Sequence, residues 1–130
     1  MNRERYEYLA QQILDSCITV HKEMGPGLLE SIYEQCLMHE LRLRKIKAEN
    51  QVCVPLIYKG QELSKELRID ILVEKEIIIE IKSVEKMIPI YEAQIISYLK
   101  LMNKRLGFLV NFNVPLLKDG FKRFVNRYFL

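Results

Sequence analysis

Apolar and polar residues recur along this chain with two different periods, and the changes of period divide it into elements. Residues 5–24 carry Leu9, Ile13, Cys17 and Val20 at helical spacing, and Gly25-Pro26-Gly27 ends the run. A second helical pattern covers residues 28–45 through Leu29, Ile32, Tyr33, Cys36, Leu37 and Leu41. Residues 51–58 read as an extended run, with Pro55 marking an edge or a bend, and Lys59-Gly60-Gln61 as a turn. Alternation with a period of two follows over residues 67–73 and 77–82. A third helix is expected over residues 89–103, opened by Pro89 and amphipathic through Ile90, Ala93, Ile96, Tyr98 and Leu101. Residues 106–112 form a near-continuous apolar run, expected to be a buried strand, and residues 121–128 alternate weakly as a last strand. The order ααβββαββ is a strand meander followed by a helical crossover. It predicts an α/β fold, a mixed sheet with flanking helices, and leaves the layer order open.

The two alternating runs fix their own pairing. Ile69, Ile71 and Val73 share one face of the first, and Ile77, Ile79 and Ile81 one face of the second. Both sets reach one core only if Val73 pairs with Ile77, Ile71 with Ile79 and Ile69 with Ile81, closed by Glu74-Lys75-Glu76. On the other face Asp70 then lies opposite Glu80, where like charges repel, and Lys82 supplies only part of the compensation. A divalent cation with oxygen ligands is the natural remaining counter-charge, and a lysine beside it suits phosphodiester hydrolysis.

A length of 130 residues fits one domain, 1–130, and 49% hydrophobic with 28% charged residues describes a soluble globular chain. No apolar run approaches a membrane span, and Met1-Asn2-Arg3-Glu4-Arg5-Tyr6 opens a charged helix without an apolar signal core, so a cytoplasmic location is expected and no membrane partner. Cys17, Cys36 and Cys53 form no CxxC pair and suit free thiols that serve packing. The net charge of +3 says little, but its distribution says more. Arg42, Arg44, Lys45 and Lys47 form one basic cluster, and Lys100, Lys104, Arg105, Lys118, Lys122, Arg123 and Arg127 crowd the C-terminal quarter. These patches can flank a phosphate backbone; a solvated helix end and a charge-protected edge strand explain them equally well. His21, His39 and Cys36 complete no zinc site, and the P-loop, dinucleotide and GxSxG patterns are missing.

Asp70 and Glu80-Ile81-Lys82, in this order of elements, resemble the PD-(D/E)xK nuclease superfamily. Gly27-Leu28-Leu29-Glu30-Ser31-Ile32-Tyr33 is similar to the signature that names its GxxExxY family, and Gln94-Ile95-Ile96-Ser97-Tyr98 resembles the Gln-x3-Tyr element of its exonuclease-like branch. The resemblance runs from about Ile18 to Arg123 and includes Asn111-Phe112 and the segment from Pro115 to Gly120; it departs in having Ile69 where the motif's proline would stand.

The resemblance implies a metal-dependent nuclease that hydrolyses phosphodiester bonds, with DNA ahead of RNA as substrate. Asp70, Glu80 and the Ile81 carbonyl would bind Mg²⁺ or Mn²⁺, and Glu30 would approach the same cation from the second helix. Lys82 would hold or help deprotonate the attacking water and stabilise developing charge, with Gln94 orienting water, ligand or phosphate. Tyr98, Tyr33, Arg42, Arg44 and Lys118 are the candidate substrate contacts. Each has a plainer reading: Glu30 as a favourable charge at a helix start, Tyr33 as packing of the helix on the sheet, Gln94 and Tyr98 as the polar margin of a buried face. A homodimer is a reasonable expectation, because so small a domain has little surface to embrace a duplex. The rival reading is a nuclease fold without turnover that binds nucleic acid or a partner protein.

Overall fold

Helix α1, Arg3–Met24, starts where the Asn2 side chain accepts the Arg5 amide at 2.8 Å and stops at Gly25, whose φ of +73° suits glycine. The computed structural model describes residues 1–126. Helix α2, Glu30–Leu43, follows the Gly25-Pro26-Gly27 corner, and the buried Tyr33 ties that corner down: its hydroxyl donates to the Gly25 carbonyl and accepts the Leu28 amide. Strands β1 (Ala48–Tyr58), β2 (Gln61–Val73) and β3 (Ile77–Lys82) form an antiparallel meander, after which α3 (Pro89–Met102) crosses to β4 (Leu106–Asn111), parallel to β3, and β5 (Phe121–Val125) closes the sheet. The strand order is β1-β2-β3-β4-β5, a five-stranded mixed sheet, and the element order agrees with the one the periodicity predicts.

The sheet separates two apolar layers, which settles the order of layers. Tyr6, Leu9, Ile13 and Cys17 of α1 and Tyr33, Leu37 and Leu41 of α2 pack with Ile71, Val73, Ile77, Ile79, Ile81 and Phe108 on one face. Ile95 and Leu99 of α3 pack with Leu72, Ile78 and Leu109 on the other. β4 is buried along all its residues, as a central strand covered on both faces must be. Among the described residues no helix is long and apolar enough to cross a membrane.

The hairpin is longer than its apolar pattern suggests. β2 begins at Gln61, and its first residues are exposed, so β1 and β2 reach beyond the core as a two-stranded arm with a register shift at Pro55. The last strand is described to Val125; the part of the expected run beyond residue 126, including Arg127 and Tyr128, lies outside the described residues. Cys53 is exposed on the edge strand β1 instead of packed, whereas Cys17 is buried and Cys36 half-buried.

The end of the sheet that carries the Glu80-Ile81-Lys82 run is braced by Asn111. This buried side chain accepts the amides of Val84 and Asn113 and donates to the Val84 carbonyl at 3.0 Å, fixing the chain that leaves β3. Gly120 lies against the same residue: a Cβ there would overlap the Asn111 carbonyl oxygen. Backbone cannot yield as a flexible side chain can. Gly120→Ala is therefore expected to destabilise the fold by about 1–3 kcal/mol, read as a lower urea midpoint with unchanged denaturant dependence.

Candidate active site

The β2–β3 ladder runs through Val73–Ile77, Leu72–Ile78 and Ile71–Ile79 and then opens. The expected Ile69–Ile81 pair is not formed, because β2 changes face at Asp70 and Ile69 packs on the α3 side with Leu72 and Ile78. The neighbouring strand is irregular at the same level. Opposite Asp70, Gln51 of β1 has φ +51°, and the β1–β2 pairing passes from Asn50–Ile71 to Val52–Ile69 without a Gln51–Asp70 pair. A non-glycine residue in the left-handed region inside a strand is strained backbone, here held by Glu34, which accepts the side-chain amides of Asn50 at 3.1 Å and Gln51 at 2.7 Å.

Two carboxylates fill the opening. Asp70 turns its amide toward β3, where it donates to Glu80 Oε2 at 3.2 Å, and Asp70 Oδ2 accepts the Ile81 amide at 2.8 Å. The Ile81 carbonyl lies on the same edge of β3 as its amide and so faces the same gap. Glu80 is only 6% exposed, and its carboxyl is pushed up to about 9, first by burial and then by the hydrogen bond and charge of Asp70, with Lys82 opposing. Among the described residues no ion pair reaches either carboxylate.

Helix α3 supplies the wall of the gap. Tyr91, Gln94 and Tyr98 recur at i, i+3 and i+7 and form one stripe. The Tyr98 phenol is raised by burial and then by the charges of Glu80 and Asp70, which puts it within electrostatic reach of both acids. The Lys82 ammonium lies 4.5 Å from the centre of the Tyr91 ring, and Gln94 is exposed between the two tyrosines. On the other side Glu30, the first residue of α2, accepts the Ser83 amide at 3.2 Å, while the Ser83 hydroxyl donates to the Leu28 carbonyl.

This donor set suits a hard divalent cation: two carboxylates and a backbone carbonyl, all oxygen, in a buried place with uncompensated negative charge. Glu30 stands apart from the pair: one of its oxygens accepts the Ser83 amide at the exit of β3, and among the described residues no three His, Cys, Asp or Glu side chains converge as a metal-binding group.

A family model of the PD-(D/E)XK nuclease superfamily matches residues 7–124. The chain belongs to this superfamily. The match spans the opened ladder, the α3 stripe and the Asn111 brace together. The crystal structure of a protein designated SSO0001 has the same fold at 24% identity and a TM-score of 0.51, covering 95% of this chain and 60% of that one, so this chain spans less than two thirds of its length. No curated protein matches the sequence.

Within this PD-(D/E)XK chain the expected residues divide by position. Asp70, Glu80, Ile81 and Lys82 meet at the gap, with Gln94 and Tyr98 on the α3 stripe that Tyr91 begins. Tyr33 does not. It is fully buried, stacked on Phe112 at 4.4 Å between ring centres, and both of its hydroxyl bonds go to the α1–α2 corner, so the substrate-contact expectation is replaced by the packing one. Arg44 is likewise engaged structurally, bonded to Glu40 at 2.9 Å, to Gln12 and to Thr19, which clamps α2 onto α1. Arg42 is exposed but lies some 12 residues along α2 from Glu30, about 18 Å at the helical rise. Lys118 is exposed on the short turn Leu117–Gly120, whose Leu117 packs in the α1–α2 layer. Of the basic clusters, Arg44 is paired with Glu40, Lys122 with Glu92 and Arg123 with Glu7. Motif reading passes over Tyr91 and Ser83; the i, i+3 and i+7 spacing with Gln94 and Tyr98 is the signal that finds Tyr91.

Proposed function

We propose that this chain is a metal-dependent nuclease of the GxxExxY type that hydrolyses phosphodiester bonds in DNA. Membership of the PD-(D/E)XK superfamily points to a phosphodiesterase nuclease, and members of it typically use divalent metals. The observation that carries the reading is the pair Asp70 and Glu80, two carboxylates bonded across an opened ladder with no cationic partner among the described residues and Lys82 beside them. In this reading Asp70, Glu80 and the Ile81 carbonyl would hold Mg²⁺ or Mn²⁺, with Glu30 approaching from the Ser83 side, and such a cation would supply Lewis-acid polarisation of the phosphoryl oxygen. Lys82 holds the attacking water and offers its ammonium to the oxygen on which negative charge develops. Gln94 orients water or a phosphate oxygen, and Tyr98 contacts the substrate backbone from one turn further along α3.

Titration of Mn²⁺ and Mg²⁺ into the wild type and Asp70→Asn, followed by incubation with labelled single-stranded, duplex and branched DNA and with RNA, tests this. The expected result is saturable binding that Asp70→Asn loses, with metal-dependent cleavage of at least one DNA form by the wild type alone. Absence of both binding and cleavage in the wild type overturns the reading and turns attention to a module that binds without turnover.

A further inference from the structure

Lys82 has two acidic neighbours and bonds to neither. Glu80 lies two residues before it on β3 and Asp70 sits across the gap, yet among the described residues no ion pair engages the Lys82 ammonium, and its contact is the face of Tyr91 at 4.5 Å. A lysine side chain is a flexible four-carbon stem with a compact charge, so a single favoured place for the ammonium needs a partner held more rigidly than itself. Tyr91 is such a partner. It stands in the first turn of α3, directly after Pro89 sets the helix start, and packs against the buried layer of Ile69, Ile78 and Ile95. An ammonium within about 6 Å of an aromatic ring centre is attracted by the negative ring face.

We propose that Tyr91 is a positioning residue whose ring face holds the Lys82 ammonium off the Asp70–Glu80 carboxylates, leaving their oxygens to a divalent cation while the ammonium stays on the α3 side where Gln94 and Tyr98 meet the substrate. This rests on the nuclease reading for its catalytic consequence but not for its geometry. Without the ring, Lys82 folds onto Glu80, competes with the metal for its oxygens and leaves the substrate side.

Tyr91→Phe keeps the ring face and removes only the hydroxyl; Tyr91→Leu removes the face. Carbon-13 NMR correlation spectra of the metal-free protein give the direct readout. The Lys82 methylene protons nearest the ammonium, assigned by their disappearance in Lys82→Met, are expected to be shifted upfield by the ring current in the wild type and Tyr91→Phe, and to return to ordinary lysine positions in Tyr91→Leu. Mn²⁺ titration is expected to show affinity weakened several-fold in Tyr91→Leu and retained in Tyr91→Phe. With the DNA the wild type cleaves, Tyr91→Leu is expected to lower kcat by about tenfold with KM within about twofold, and Tyr91→Phe to retain both. Unshifted Lys82 resonances in the wild type overturn the proposal, as does a Tyr91→Leu protein that folds, binds Mn²⁺ and turns over as the wild type does. Should Tyr91→Leu fail to fold, the wild-type and Tyr91→Phe spectra decide the contact, and loss of Mn²⁺ affinity or kcat in Tyr91→Phe assigns the role to the hydroxyl and overturns the ring-face proposal. A wild type that cleaves nothing sinks the nuclease reading alone, since the spectra and the Mn²⁺ titration still decide where the ammonium is held.

Discussion

Lys82→Ala is expected to lower metal-dependent DNA cleavage by about 100- to 1,000-fold, the loss seen when one pre-positioned group that stabilises transition-state charge is removed. The same variant should bind Mn²⁺ at least as tightly as the wild type. Lys82 offers no oxygen to the ion, and its positive charge beside Glu80 works against a second cation, so its removal leaves Asp70, Glu80 and the Ile81 carbonyl in place with less repulsion. Its fold should survive, because Lys82 is half-buried and the attraction of its ammonium to the Tyr91 ring is worth only about 1 kcal/mol. Lys82→Arg is not expected to restore the rate, since a planar fork cannot sit where a compact ammonium does. The decisive comparison is single-turnover cleavage with calorimetric Mn²⁺ titration on the same preparations. Wild-type cleavage by Lys82→Ala would remove the lysine from the mechanism, and loss of Mn²⁺ binding would mean that it holds the site together instead.

How much of this is legible in the sequence follows from what periodicity can carry. Ile71, Val73, Ile77 and Ile79 alternate without interruption, so their register is readable, and it brings Asp70 and Glu80 to the same place. Alternation puts Ile69 on the wrong face because it assumes an unbroken strand, and the break lies opposite a positive φ at Gln51, a residue whose identity does not announce it. The arm formed by β1 and β2 is cut short in the sequence pattern for a related reason: Gln61 to Glu66 bury nothing, and a strand with no buried face leaves no apolar trace. Side-chain partnerships are beyond reach. Arg42 and Arg44 are equivalent as letters, yet one is exposed and the other is clamped by Glu40, Gln12 and Thr19. Glu30 likewise lies close in the chain fold to the end of β3, but its bond to the Ser83 amide leaves no trace in the sequence.

Glu80→Gln is expected to make the metal-free protein more stable and to forfeit the stabilisation that metal confers. The Glu80 carboxyl ionises near 4.5 in an ordinary setting and is pushed up to about 9 here, with burial as the main cause and Asp70 next. Below the lower value folded and unfolded chains both carry the proton. Between the two values the unfolded chain releases it while the folded chain retains it, so the stability of the metal-free wild type falls as pH rises across that window and levels off above it. A neutral glutamine has no proton to lose. Its oxygen can still accept the Asp70 amide and its amide can donate to the Asp70 carboxylate, so the opened ladder keeps its cross-connections. At pH 8 without metal, Glu80→Gln should exceed the wild type by on the order of 2–4 kcal/mol, and the difference should vanish toward pH 4. Saturating Mg²⁺ narrows the gap, because a cation at a hundred times its dissociation constant stabilises the wild type by about 2.7 kcal/mol and finds one carboxylate fewer in the variant. Urea unfolding at several pH values, with Mg²⁺ or with chelator, reads all of these signs together. A wild type that is insensitive to pH over the window, or a variant that gains from Mg²⁺ as much as the wild type, would show that the buried carboxylate pair is not held in readiness for a cation.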